Sequence, residues 1–319
     1  MAKTILLQCR AFSTPSSAKV IIALRKKAFA TSPVGEQREL GATDEPIQAQ
    51  LWQDAPPAKN GQYTQTEVKI PGRTLYRKTI QDILLSEGLF AVKASVGVNT
   101  LIELQESLTK QLGQNSMETR VRYAQSILLW FFPDGLNSLA RRVWLAYGDE
   151  SIETDILRYL YLAAEPVMGG CVSEALFPLE NGMQIPPQYF DQFLKAFFGE
   201  APPQKTRERL KSNLMKLGFL DRARGKPDRL KLVMPSGSSL LILLHHLFSP
   251  QGTRTVELRR LLADPFWKFL GYKSEDAVRA VLREANTARI LGKYVVADQL
   301  EQVTTNMSAD EFLTRKVHL

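Results

Sequence analysis

The sequence predicts a mainly α-helical fold, a helical bundle followed by one or two winged-helix units, each a helix-turn-helix with a short β-hairpin. Two observations carry this reading. Apolar residues recur at helical spacing from Thr79 onward, with Ser or Thr caps ahead of several runs. The order helix, turn, helix, basic hairpin then occurs at 186–235 and recurs in outline at 236–319. A chain of 319 residues accommodates two or three domains. The pattern divides it into an irregular region at 1–78, a bundle at 79–185, a winged-helix unit at 186–235, and a second winged-helix-like unit with a C-terminal helix at 236–319.

The region 1–78 reads as a small α/β piece or an arm. Pro33, Pro46, Pro56, Pro57 and Pro71 punctuate it, and Asn60-Gly61 signals a turn beside a possible strand at Gln62 to Ile70. No acid precedes Glu36, a composition shared with organellar transit peptides, whereas Lys19 to Ala30 reads as ordinary folded sequence.

From Thr79, Ile80, Ile83 and Leu84 begin a helical pattern that Gly88 breaks. Thr100 and Glu103 form a capping box before Leu101, Leu104, Leu108 and Leu112. Ser116 caps a helix that Pro133-Asp134-Gly135 stops, and Leu136 to Tyr147 and Ser151 to Ala164 follow through short loops. Such loops favour antiparallel neighbours in a bundle. Trp130, Phe131, Phe132, Trp144, Tyr159 and Tyr161 stand among aliphatics and read as core. Asp149, Glu150, Glu153 and Asp155 read as exposed acids favoured by a helix N-terminus.

Further on, Pro187 to Phe198 and Lys205 to Leu217 are predicted helices, followed by a basic turn at 222–227 and a short strand at Leu230 to Met234. Leu240 to Phe248 is a core helix. Thr255 to Leu262 and Ser274 to Asn286 are predicted helices, Ile290 to Val296 a strand, and Ser308 with Glu311 caps a last helix.

The formal charge of +8 and pI of about 9.4 favour a polyanionic partner. The excess concentrates between Lys205 and Lys231, where Lys205, Arg207, Arg209, Lys211, Lys216, Arg222, Arg224, Lys226, Arg229 and Lys231 meet Glu208, Asp221 and Asp228. Leu210, Leu214 and Leu217 mark the buried face of the helix, and Arg209, Asn213 and Lys216 share another, with Thr206 nearby. Arg and Asn pair with guanine and adenine edges, and long cationic arms grip phosphate. Thr206, Arg207, Arg209, Lys211, Asn213 and Lys216 are therefore the candidate groove residues. Arg222, Arg224, Lys226 and Arg229 are candidate phosphate contacts of the wing. The same composition also suits a solvated basic face. In the second unit Arg279 and Arg283 share a face, although Glu275 and Asp276 at that helix start oppose groove entry.

No catalytic constellation is complete and no cofactor motif is present. His245 and His246 are adjacent on a helix and point apart, and no phosphate loop or nucleophile elbow occurs. Asp54 with Glu67-Val68-Lys69 matches the Asp…Glu-x-Lys order of Mg²⁺-dependent nucleases, a spacing that chance supplies often. Cys9 and Cys171 are too few for a disulfide framework and fit a reducing cytoplasm. No apolar run approaches the ~20 residues of a membrane span.

From about Leu84 to Val296 the chain resembles the BrxA family of the BREX phage-defence systems. The resemblance rests on Thr119-Arg120-Val121-Arg122, Ile156 to Leu162, Phe177-Pro178, Phe190-Asp191-Gln192-Phe193-Leu194, Thr206-Arg207-Glu208-Arg209-Leu210, Leu217-Gly218-Phe219-Leu220 and Pro265-Phe266-Trp267. It implies a helical protein with winged-helix parts that binds double-stranded DNA without catalysis, among other proteins of a defence complex. A protein-protein adaptor with a basic surface is the alternative, and a Mg²⁺-dependent nuclease a further one.

Overall fold

The structure, a computed structural model, describes residues 80–222, 227–297 and 300–319. The readings made for 1–78, including Asp54, Glu67 and Lys69, lie outside the described residues. The fold is mainly α-helical with two small antiparallel sheets.

The bundle comprises α1 (Leu85–Ala94), α2 (Leu101–Gln111), α3 (Met117–Phe131), α4 (Leu139–Tyr147) and α5 (Glu150–Ala164). Two of its caps, Thr100 and Ser116, are those the sequence signals, while Asp149, expected as an exposed acid, caps α5. The Thr100 hydroxyl accepts from Glu103 N at 3.1 Å, and the Glu103 carboxylate accepts from Asn99 N at 2.8 Å. The Ser116 hydroxyl likewise accepts from Thr119 N, and the Asp149 carboxylate from Ser151 N.

Two expectations at the start of the bundle fail for packing reasons. Residues 80–84 are not helical; they form a non-helical strap whose Ile80 and Ile83 are buried. Gly88 does not break α1 but lies inside it, because a Cβ there would stand 2.4 Å from the Phe131 ring. The glycine serves a close helix crossing.

After α5 come α6 (Pro166–Gly170), a π-helical turn (Cys171–Leu176), α7 (Tyr189–Phe198), α8 (Gln204–Lys216) and the hairpin β1 (Leu220–Asp221) and β2 (Arg229–Leu230). The remainder is α9 (Gly237–Phe248), β3 (Thr255–Glu257), α10 (Leu258–Ala263), α11 (Phe266–Leu270), α12 (Glu275–Thr287), β4 (Lys293–Ala297), β5 (Leu300–Thr304) and α13 (Ala309–Thr314). The helix expected at Thr255 to Leu262 is thus a strand followed by a helix. Thr255 and Glu257 face outward while Val256 is buried, a two-residue period that its pairing with β5 imposes. The strand expected at Leu230 to Met234 is confined to Arg229–Leu230.

Two apolar cores hold these elements. One runs from Ile80 through the bundle to Leu230 without interruption at 185, so the bundle and the first winged unit share it. The other joins the elements after 236 to Leu139, Val143, Ile152 and Ile156 from α4 and α5. Helix α5 therefore has a face in each core, since Leu157, Tyr161 and Leu162 belong to the first.

The expectation of four exposed acids on α5 holds only for its start. Asp155 and Glu153 are buried. Asp155 accepts from Arg158 Nη1 at 2.6 Å, and from Ser236 N and Ser239 Oγ, both at 2.9 Å, at the start of α9. Arg158 also donates to the carbonyls of Leu217, at 2.9 Å, and Leu270, at 3.2 Å. One ion pair thus binds the bundle to the ends of α8 and α11 and the start of α9. Glu153 has no such network: neither carboxylate oxygen has a hydrogen-bond partner among the described residues, and burial pushes its pKa well above the ordinary value.

Candidate nucleic-acid interface

Both C-terminal units have winged-helix topology. In the first, the order is α6 with its π turn, the short extended stretch Met183 to Ile185, α7, α8, β1 and β2. Leu230 N donates to Met183 O at 2.9 Å and Ile185 N to Asp228 O at 2.8 Å, so the extended stretch borders β2, which borders β1. In the second, the order is α9, β3, α10 with α11, α12, β4 and β5, and the sheet runs β3-β5-β4. Each sheet places its first strand beside its third. This topology presents the third helix, α8 or α12, and the hairpin after it.

Helix α8 forms where the sequence places it, and Leu210, Leu214 and Leu217 are buried as expected. Its supposed groove face is not free. Asn213 is fully buried: its side-chain oxygen accepts from Ile83 N at 2.9 Å, and its amide donates to Gln81 O at 2.7 Å and Tyr161 Oη at 2.8 Å. Arg209 donates to Ile80 O at 3.1 Å and faces Asp82 at 3.6 Å, and Lys216 donates to Ile83 O at 3.4 Å. The strap at 80–83 therefore covers Asn213 and takes hydrogen bonds from half-buried Arg209 and exposed Lys216. An extended backbone needs partners for its amides and carbonyls, and these side chains supply them. Asn213 is a structural residue, not a base reader, and Thr206 is likewise buried.

The opposite flank of α8 is engaged as well. Arg207 pairs with Asp191 at 2.8 Å, and Lys211 pairs with Asp228 at 2.8 Å while lying over the Phe190 ring. Among its charged residues α8 exposes Lys205 and Glu208, on a stripe between these flanks, and Lys216 at its C-terminal end. The hairpin differs. Arg222 pairs with Asp228 at 3.5 Å yet keeps 57% of its side chain exposed, and Arg229 and Lys231 are exposed. Arg224 and Lys226 lie outside the described residues.

In the second unit, Ser274 caps α12 by accepting from Ala277 N, as its sequence predicts. Arg279 is held by Glu275 at 3.2 Å, by Asp276 at 3.4 Å and by Glu301 of β5 at 3.1 Å, so its charge is compensated. Arg283 does lie on the exposed face, with Asp276, Ala280 and Thr287. The sequence reading missed Arg259 and Arg260, both exposed on α10, and exposed Arg289, which adopts a positive φ of 58° just after α12. Paired arginines in the middle helix of a helix-turn-helix were the available signal.

The aromatic residues assigned to the core lie there, with Trp130, Phe131, Phe132 and Tyr161 buried and Trp144 and Tyr159 half-buried. His245 is a core residue: its Nδ1 meets Leu241 O at 2.9 Å, its ring stacks on Phe312, and burial lowers its pKa. Among the described residues no three His, Cys, Asp or Glu side chains are grouped to hold a metal ion. Cys171 is buried, and burial raises its thiol well above the ordinary range. No helix of the described residues is long and apolar enough to cross a membrane.

Fold and exposed charge together define a helical protein with tandem winged-helix units. Comparison with protein-family models finds no match, and comparison with curated proteins finds none. Among solved structures the chain is similar to a protein named SspB, with a TM-score of 0.50 and 12% identity over 74% of this chain and 84% of that one. At this identity the likeness concerns the fold alone.

Proposed function

We propose that this protein binds duplex DNA without catalysing a reaction on it, as a cytoplasmic component of a multi-protein, BREX-like anti-phage defence system. The observation that carries the reading is the pairing of two winged-helix units on a chain of net charge +8, with exposed cations at the first hairpin and on the helices of the second unit. Arg222, Arg229, Arg283 and the sequence neighbours Arg224 and Lys226 are the phosphate contacts in this reading. Arg207, Arg209, Lys211 and Arg279, each paired with a carboxylate and less exposed than Arg222, contribute less. The resemblance to the BrxA family supports the defence context.

An adaptor role is the second reading, favoured by one observation: the third helix of the first unit already uses its flank for a protein contact, the strap at 80–83. Fluorescence anisotropy with labelled duplex, single-stranded DNA and RNA separates the two. DNA binding predicts a duplex affinity that falls steeply with salt. No anisotropy change with duplex at low salt contradicts it and leaves the adaptor.

A further inference from the structure

The two winged units meet at a small open notch, with room inside for little more than a water molecule. Phe177, Leu230 and Val233 form its apolar wall on the side of the first unit, and Lys231, Lys268 and Lys273 line it as well. Gly271 allows the closure: its φ is +116°, and a Cβ there would lie 2.5 Å from that of Val233.

Two of the ammonium groups attend one ring. Lys268 Nζ lies 4.2 Å and Lys273 Nζ 5.6 Å from the Phe177 ring centroid. Lys273 donates to Leu176 O at 2.8 Å and Phe177 O at 3.0 Å, which leaves one of its ammonium protons uncommitted. Among the described residues none of the three lysines makes an ion pair. Glu174 and Glu275 lie within electrostatic reach of Lys268 but not in contact with it. Elsewhere on this surface partly buried cations are matched: Arg207, Lys211 and Arg279 each contact a carboxylate. Partial burial without a contacting counter-ion lowers the pKa of Lys268 and Lys273, and an incoming anion would reverse that direction.

We propose that this notch is a phosphate site, in which Lys231, Lys268 and Lys273 hold one phosphoryl oxyanion. Open and shallow, the notch has no enclosed space for a bulky ligand, and cations beside an apolar wall suit a compact charged group at its mouth. The phosphate is supplied either by a DNA backbone crossing from one winged unit to the other or by a free phosphate ion. The first source rests on the DNA-binding reading and the second does not.

The test uses the full chain and the Lys231→Met/Lys268→Met variant. Methionine keeps an unbranched stem over Phe177, and Lys195→Met, at an exposed position on α7, is the control. Thermal melting verifies folding, and Lys231→Met alone carries the test if the double variant does not fold. Calorimetric titration with inorganic phosphate should show saturable uptake that weakens at least tenfold in the double variant and not in the control. If the duplex backbone is the source, the log–log salt slope of duplex binding should also fall, by about 0.9 for each phosphate that is no longer neutralised. An unchanged duplex slope with phosphate uptake abolished identifies free phosphate. If the protein binds no DNA yet the variant fails to take up phosphate, the DNA reading fails and the site stands. Phosphate uptake that the double variant leaves intact overturns the proposal, as does an absence of uptake together with an unchanged duplex slope.

Discussion

The two winged-helix units share strand order and helix order but use their third helices differently. In the first, Asn213 and Thr206 of α8 are in the core, and Arg209 and Lys216 satisfy the strap at 80–83. In the second, α12 buries only Val278, Leu282 and Ala285 and leaves Glu275, Asp276, Ala280, Arg283, Glu284 and Thr287 to solvent. Of the five cations on α8 only Lys205 and Lys216 are exposed, and of the two on α12 only Arg283. Charge in a sequence says how many cations a helix carries, while tertiary contacts decide how many face outward.

The largest expected effect lies where the units join. Replacing Arg158 with methionine leaves the Asp155 carboxylate buried without its counter-charge and frees two carbonyls, one at the end of α8 and one at the end of α11. Chemical denaturation should show a loss of about 3–5 kcal/mol. A loss under about 1 kcal/mol would mean that the units hold to the bundle by apolar contact alone.

Asn213→Ala comes next. It leaves Ile83 N without a partner and takes one of two donors from Gln81 O, which keeps Tyr161 Oη, and should cost about 1–3 kcal/mol of stability. Duplex affinity of the folded protein should be unchanged, on preferred and random sequences alike. Preserved stability with relaxed sequence preference would restore the residue to base reading and erase the contrast between α8 and α12.

These residues also mark how far the fold could be read in advance. The caps Ser116, Ser274 and Ser308, the core helix α9 and the helix-turn-helix order rest on neighbours a few residues apart, and local spacing reveals them. The strap does not. Its backbone is satisfied by Asn213, 130 residues away in the chain, so Ile80 and Ile83 look like the start of a helix. Gly88 looks like a break because Phe131 is distant in sequence. Glu153 and Asp155 look exposed because their burial depends on which faces of α5 two cores cover. The candidate site was legible as a basic helix and hairpin, and the division of its cations into paired and exposed was not.

Glu153 gives an effect of opposite sign. Its folded-state pKa is raised, so the native state binds the proton more tightly than the unfolded chain does. Its favourable contribution is present below the ordinary carboxylate range and is lost as pH rises toward the folded value. Glu153→Leu should therefore stabilise the protein by about 1–3 kcal/mol at pH 8, with the gain shrinking toward pH 4. Melting curves across that range decide it; destabilisation at every pH would show that the carboxylate has a partner in solution.

The exposed first hairpin offers the most direct test of DNA binding through the wing. The measurement is the log–log salt dependence of duplex affinity for the full chain and for the variant with Arg222, Arg224 and Lys226 all changed to alanine. Arg222 belongs to neither apolar core, and thermal melting verifies that the variant folds. Affinity should fall for every duplex about equally, and the slope should drop by about 0.9 for each phosphate that the variant no longer neutralises. An unchanged slope and affinity in a folded triple variant would contradict the claim that the exposed wing, rather than the covered flank of α8, meets DNA.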